Sequence, residues 1–215
     1  MLRILFKFVL YLALVAGFSA ARAGAYEDFF KAITFDDDRT VSGLLERGFD
    51  PNARDDKGQT PLYLSLREGS FKIAAVLLAH PQLRIDLSNS AGETALMISA
   101  LKGQTAWLQK LIARGATVDS PGPKVWTALH YAASGPEVSA VQLLLARGAQ
   151  VDARSPNGST PLMMAARYGP EDAVQLMLKQ GADVGLRNDL GLSAADFARQ
   201  AGREALAESL LRAAR

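Results

Sequence analysis

The 215-residue sequence contains no cysteine and only two histidines, His80 and His130. The first absence excludes a disulfide framework, a thiolate metal site, a cysteine nucleophile and a lipid-modified cysteine. The second puts a histidine-rich metal site out of reach. No G-x-x-x-x-G-K phosphate cradle occurs. What is present is ordinary for a globular chain: 49% hydrophobic and 21% charged residues, with 18 glycines and 9 prolines, a profile that is neither disordered nor collagen-like.

The first 25 residues stand apart. Arg3 and Lys7 precede an apolar run from Phe8 to Phe18, and small residues Ala21, Ala23 and Ala25 follow. This is the order of a secretory signal, with cleavage expected after Ala23 or Ala25, leaving residues 26–215 as the mature domain. The competing expectation is an uncleaved anchor, although the run is short for a span of about 20 apolar residues. Removal of residues 1–25 takes away three bases and no acid, turning a net charge of +2 into −1. The basic balance therefore belongs to the leader, and no electrostatic case for nucleic acid remains.

The rest of the chain repeats. Thr60-Pro61-Leu62, Thr94-Ala95-Leu96, Thr127-Ala128-Leu129, Thr160-Pro161-Leu162 and the weaker Ser193-Ala194-Ala195 recur at spacings of 34, 33, 33 and 33. Gly115, Gly148 and Gly181 keep the same step, each opening a near-copy of Gly-Ala-x-Val-Asp. In each unit the Thr or Ser is suited to cap a helix, and Pro61 and Pro161 fall at the first helical position, where no donor is needed. Small pairs such as Ala132-Ala133 and Ala165-Ala166 allow close helix approach. Gly69, Gly103, Gly169 and Gly202 are expected to end the first helix in a conformation costly for other residues. A second helix carries Val141, Leu144 and Leu145, or Val174, Met177 and Leu178, at helical spacing. Tight-turn sequences, Asp55-Asp56-Lys57-Gly58 and Pro156-Asn157-Gly158 among them, separate the units.

With T-P-L-x-x-A, a Gly nine residues after the Thr, a V-x-L-L-L run and G-A-x-V-x at one register, residues 26–215 resemble an ankyrin-repeat protein. The resemblance implies an all-α repeat solenoid of about six stacked helix-turn-helix units, with the tight turns at the tips of hairpin fingers. A single unit cannot bury its own apolar face, so the end units are expected to differ as caps. In the first, Phe29, Phe30, Val41, Leu44 and Leu45 face inward and Asp28, Asp36, Asp37 and Asp38 form a solvated side. In the last, Phe197, Leu206, Leu210 and Leu211 face inward and Arg203, Glu204, Glu208 and Arg212 outward.

Chemistry is hard to find. A lone histidine such as His130 has no positioned partner in sequence, and the resemblance gives its ring a structural role, holding a finger onto a helix. Asp36-Asp37-Asp38 lacks the remaining donors of a calcium loop. No catalytic residue, metal or cofactor is expected. A small-ligand or hydrolytic site would need a deep pocket with convergent polar groups, against which the small inner-helix residues argue.

The family binds other macromolecules through finger tips and the exposed side of the first helix. Carried onto this chain, the candidate partner-binding residues are Lys102, Lys124, Trp126, Asn157, Arg167, Tyr168, Leu190 and Leu192. Trp126 follows an aberrant finger in which Val125 replaces the turn glycine, so its ring either faces a partner or packs on its neighbouring finger. The resulting expectation is a non-enzymatic module, monomeric when unbound and not stably inserted in a membrane after cleavage. It would bind a protein in the periplasm of a Gram-negative bacterium as an immunity-type inhibitor or an accessory factor. If the leader is retained, the alternative is a membrane-tethered adaptor.

Overall fold

The computed structural model describes residues 24–119 and 126–214. The leader through Ala23 and the aberrant finger at residues 120–125 lie outside them. Among the described residues every regular element is a helix, and none is long and apolar enough to cross a membrane. The chain falls into two compact units, one ending at Leu83 and the other beginning at Arg84.

In the first unit, α1 covers residues 24–34 of the described chain, followed by α2 (Asp38–Glu46), α3 (Pro61–Glu68) and α4 (Phe71–Ala79). Phe29, Ile33, Val41, Leu66, Ile73 and Leu77 form its dry centre. Asp36 is not simply solvated. It adopts a left-handed backbone conformation with φ of 51° and accepts a hydrogen bond from the Ile73 amide at 3.2 Å, tying the α1–α2 turn to the start of α4. Asp37 caps α2 by accepting from both the amide and the hydroxyl of Thr40, which holds its carboxyl below the usual range.

The second unit contains α5 (Ala95–Leu101), α6 (Thr105–Ala113), α7 (Ala128–Ser134), α8 (Val138–Ala146), α9 (Pro161–Tyr168), α10 (Glu171–Lys179), α11 (Ala194–Gln200) and α12 (Glu204–Ala213). Helices α5, α7, α9 and α11 pack side by side as an inner row, and α6, α8 and α10 form the start of an outer row behind them. The described residues thus form helix-turn-helix pairs of a repeat solenoid, two in the first unit and four in the second.

Each inner helix starts where the repeated hydroxyl predicts. Thr60, Thr94, Thr160 and Ser193 accept from the amide three residues on. In the second unit the residue at that third position reaches back to the amide of the cap. Met97 and Met163 accept it through sulfur, His130 through Nδ1 and Asp196 through Oδ2. Reciprocal capping of this kind satisfies two otherwise orphaned donors at once.

The glycines divide into two classes. Gly69, Gly103 and Gly202 have φ between 65° and 82° as expected. Gly169 does not: at φ −87° any residue fits the backbone. It is glycine because a Cβ there would lie 2.2 Å from the Ala133 carbonyl oxygen on the adjoining inner helix. Gly135, also buried, repeats the device one unit earlier: a Cβ on it would lie 2.6 Å from the Leu101 carbonyl oxygen. Helix proximity, not turn conformation, selects these two.

A carboxylate ladder links successive units. Asp86 accepts from the amide and hydroxyl of Thr117 at 2.9 and 2.6 Å. Asp119 accepts from the Gln150 amide and Asp152 from the Asp183 amide. Half-burial and the nearby charge of Asp183 raise the Asp152 pKa in spite of that hydrogen bond. Asp86 and the final aspartates of the Gly115 and Gly148 copies thus each fasten one turn to the next.

The last repeat corrects two expectations. Leu211 is exposed, while Leu206, Ala207 and Leu210 carry the inward face of α12. Arg203 turns inward instead of out: its Nη1 donates to the carbonyls of Ala165, Ala166 and Gly169 at 2.8–3.1 Å, closing the end of α9. Its Nη2 also lies 3.7 Å from the Glu171 carboxylate. The sequence hides this because an arginine before a charged helix reads as solvated, while the carbonyls it serves lie 34 to 38 residues earlier. Arg203→Ala is expected to lower unfolding free energy by about 2–3 kcal/mol, the range for charge-assisted hydrogen bonds left unmade at a helix end. Urea denaturation measures it; a loss below about 0.5 kcal/mol, typical of a surface change, would show that water replaces the guanidinium freely.

A candidate protein-docking face on the inner helices

The four described fingers share one backbone closure. Asp55 and Gln59, Asn89 and Glu93, Ser155 and Ser159, and Asn188 and Leu192 are each joined by an amide-to-carbonyl bond. Asp55, Asn89 and Asn188 then accept two amides inside their own turn through Oδ1. In the remaining finger Asn157 does this work, accepting from the Ser155 hydroxyl and the Ser159 amide. The chain enters each inner helix from a fixed direction as a result.

His130 connects this scaffold to the surface. Its Nδ1 accepts from the Thr127 amide at 3.2 Å, so the proton sits on Nε2, which donates to the Ser159 carbonyl at 3.0 Å in the next finger. The ring is buried at 1% exposure, and burial pushes its pKa down to about 4. Both nitrogens are engaged, which gives His130 the structural role that the repeat resemblance implies.

The edge of this ring supports Trp126. The two rings meet edge to face with centroids 5.2 Å apart, and Tyr131 contacts the indole similarly at 6.4 Å. Trp126 nevertheless keeps 36% of its surface exposed. The indole thus packs on its own inner helix, not on the neighbouring finger, and keeps an outward-facing surface. Beside it lies an open pocket of about 210 Å³ lined by Leu101, Trp126, His130, Tyr131, Ser134 and Met164. These residues come from α5, α7 and α9 and the residue leading into α7, so the pocket exists only where three repeats are stacked.

The other sequence-derived candidates distribute unevenly around it. Lys102 is exposed immediately after Leu101. Arg167 is half-buried, bonded to Gln200 at 3.1 Å, and lies over the rings of Tyr168 and Phe197. Tyr168 is exposed at the end of α9. Leu190 is exposed at a finger tip and Leu192 is half-buried at the base of that finger. Asn157 is exposed, but its carbonyl oxygen is committed to the turn. Lys124 lies outside the described residues.

Tyr131 and Met164 were not among the sequence-derived candidates. They occupy the fourth position after the repeated Thr, where Leu64, Ile98 and Phe197 stand in other repeats. A tyrosine in that apolar series was the available signal, because a phenol needs a partner. It finds one in Glu93, whose Oε1 accepts from Tyr131 Oη at 2.9 Å while Oε2 accepts from Asn89. A second pocket, of about 400 Å³, is lined by Asp86, Thr94, Met97, Thr117 and Asp119 among others. Its two carboxylates are already occupied by the ladder. No group of three or more potential metal ligands occurs among the described residues.

Residues 29–122 and 108–188 match the family described as ankyrin repeats (3 copies). NF-kappa-B inhibitor alpha of Mus musculus is 32% identical over 88 residues, which is 39% of this chain and 28% of that protein. The NF-kappa-B p105 subunit of Gallus gallus is 37% identical over 95 residues, 43% of this chain and 10% of the relative. The matches thus span less than a third of these relatives. The fold is also similar to a chain in the solved structure of the Bd0816 predatory endopeptidase from Bdellovibrio bacteriovorus in complex with immunity protein Bd3460. That likeness has a TM-score of 0.73 and 29% identity, covering 86% of this chain and 97% of the other. With more than half of its length matched by the family's repeats, in the register that the inner-helix caps display, the chain belongs to the ankyrin-repeat family.

Proposed function

We propose that the chain is a non-enzymatic protein-binding module of immunity or inhibitor type, exported to the periplasm of a Gram-negative bacterium, whose partner is an exported peptidase. The observation that carries this reading is the exposed Trp126 ring beside an apolar pocket built jointly by three repeats. A well-packed apolar pocket rimmed by aromatic and arginine side chains is the form that binding hot spots take. The likeness to a chain from an endopeptidase–immunity complex supports the choice of partner class, and the leader-like order of residues 1–25 supports export. Binding would occlude the partner by holding it against the inner helices and finger tips.

The test is capture from periplasmic extract with the purified exported form, followed by titration of the captured protein and assay of its peptidase activity. Wild type should bind and suppress activity. Trp126→Ala combined with Arg167→Ala should weaken binding by about thirtyfold or more, corresponding to roughly 2 kcal/mol for hot-spot loss. Unchanged affinity would eliminate the patch, and a captured protein without peptidase activity would eliminate the partner class. N-terminal sequencing of the exported form should begin at Gly24 or Tyr26; an intact Met1 would replace export in free form by a tether.

A further inference from the structure

Of the four asparagines in the chain, Asn157 alone precedes a glycine, Gly158; Asn52, Asn89 and Asn188 precede Ala53, Ser90 and Asp189. It is also the exposed one, for Asn52 is half-buried and Asn89 and Asn188 are buried. The finger imposes both halves of this pair. Gly158 has φ of 74°, where other residues are strained, and a Cβ on it would lie 2.6 Å from Asp189 Oδ1 and 2.9 Å from Arg154 Nη2. Asn157 is needed because Ser155 stands where the other described fingers have Asp55, Asn89 and Asn188, and a hydroxymethyl group lacks the Oδ1 by which those three accept two amides. Asn157 Oδ1 substitutes for it, accepting from Ser155 Oγ at 2.6 Å and from the Ser159 amide at 3.2 Å. An asparagine before glycine carries an electrophile and a nucleophile in one short segment: its own Cγ, and the next backbone nitrogen, beside which glycine places no shielding Cβ. In this finger Ser155 holds both. Its carbonyl accepts the Gly158 N–H at 2.8 Å and its hydroxyl tethers Asn157 Oδ1.

We infer that Asn157-Gly158 is a site of spontaneous covalent modification, with water as its co-reactant and Ser155 as the catch that holds it back. When the finger opens, the Gly158 nitrogen gives its proton to hydroxide and attacks Asn157 Cγ. The N–Cγ bond forms, the Cγ–Nδ2 bond breaks, and Nδ2 takes a proton from water and leaves as ammonia. Water then opens the cyclic imide. Cleavage at Cγ leaves an ordinary aspartate, and cleavage at the main-chain carbonyl leaves an isoaspartate whose backbone runs through Cγ; either way the Gly158 nitrogen regains its proton. One water enters and one ammonia leaves, with no change of oxidation state. The isoaspartate adds a carbon to the backbone between Ser155 and Ser159, whose amide-to-carbonyl bond closes the finger. The Ser159 carbonyl is also the acceptor for His130 Nε2, and the His130 ring supports Trp126. The modification is therefore felt on the inner-helix face, whatever that face binds.

The purified protein is incubated at neutral and mildly alkaline pH, folded and in urea, and each asparagine is followed by mass spectrometry, with electron-transfer fragmentation separating isoaspartate from aspartate. In the folded protein Asn157 should convert about tenfold or more faster than Asn52, Asn89 or Asn188, a barrier difference of about 1.4 kcal/mol. Its rate should rise with pH, because the nucleophile is the deprotonated amide, and rise further in urea, where the catch is lost. Ser155→Ala should speed Asn157 about threefold or more, the rate equivalent of one ordinary hydrogen bond, because water replaces the hydroxyl as a donor but tethers nothing. Asn188, in the next finger, should keep its rate in that variant; an equal gain there would mean general loosening and overturn the catch. In ¹⁵N-labelled protein, with Trp126→Phe assigning the two indole N–H signals and buried Trp107 as reference, the isoaspartyl fraction should show a shifted Trp126 signal. Asn157→Asp, which keeps the ordinary backbone and an acceptor for Ser155 and Ser159, should leave that signal in place. Conversion of Asn157 no faster than at the other three asparagines overturns the site, an equal rate folded and in urea overturns the catch, and an unmoved Trp126 signal in the isoaspartyl fraction overturns the link to the inner-helix face.

Discussion

Gly169→Ala is expected to destabilise the protein by about 3 kcal/mol, the upper part of the range for forcing atoms into a filled interior. The new Cβ would sit 2.2 Å from the Ala133 carbonyl oxygen and 3.1 Å from Ala165 Cα. Both are backbone atoms, so relief requires α7 and α9 to separate. Gly181→Ala is the informative control. Gly181 has φ of 86° but open space around the missing Cβ, so its loss should cost only about 1–2 kcal/mol of left-handed backbone strain. Urea midpoints of the two variants decide the matter. If Gly169→Ala costs no more than Gly181→Ala, helix proximity is not what selects glycine at 169.

Acid should weaken the fold through His130. Its folded pKa is lowered from 6.5 to about 4, chiefly by burial. The unfolded chain therefore binds the proton first, and stability is full above about pH 6.5 and falls as the pH drops toward 4. With about 1.36 kcal/mol per unit, the loss is about 2 kcal/mol at pH 5 and about 3 kcal/mol at pH 4. Asp37 and Asp196, whose pKa values are lowered by hydrogen bonds from Thr40 and Ser193, act in the same direction but below the ordinary carboxylate range. The effect is separable by His130→Met, because Met97 and Met163 already perform the reciprocal cap at the corresponding positions. That variant should lose the Ser159 bond and be less stable at pH 7, yet its stability should be nearly flat between pH 6.5 and 4. A wild-type protein equally stable at pH 7 and pH 5 would contradict the buried neutral imidazole.

Much of this was legible in the chain because repetition exposes local chemistry five times over. Thr60, Thr94, Thr127, Thr160 and Ser193 each announce a helix start through contacts made within four residues. Trp126 was legible as a surface aromatic because it follows a finger that breaks the turn pattern. The failures share a different cause. Arg203, Gly169 and Tyr131 are chosen by atoms 34 to 38 residues away, on the neighbouring repeat, and nothing in their own surroundings states what those atoms need. Leu211 was misplaced because the inward face of α12 is completed by small Ala207. Local signals thus reveal where each helix begins, whereas the fit between repeats depends on pairs that no short window contains.

The carboxylate ladder has an evolutionary consequence. Asp86, Asp119 and Asp152 stand 33 residues apart, and each reaches an amide 31 residues downstream. Excising or duplicating 33 residues within this stretch leaves every remaining carboxylate opposite an equivalent amide, while a change of 30 or 36 misaligns the joint. The array can therefore lengthen or shorten in whole steps, with the joint chemistry inherited intact. The length of its inner-helix face is a heritable quantity that comes in discrete sizes, separable from the side chains that the face displays.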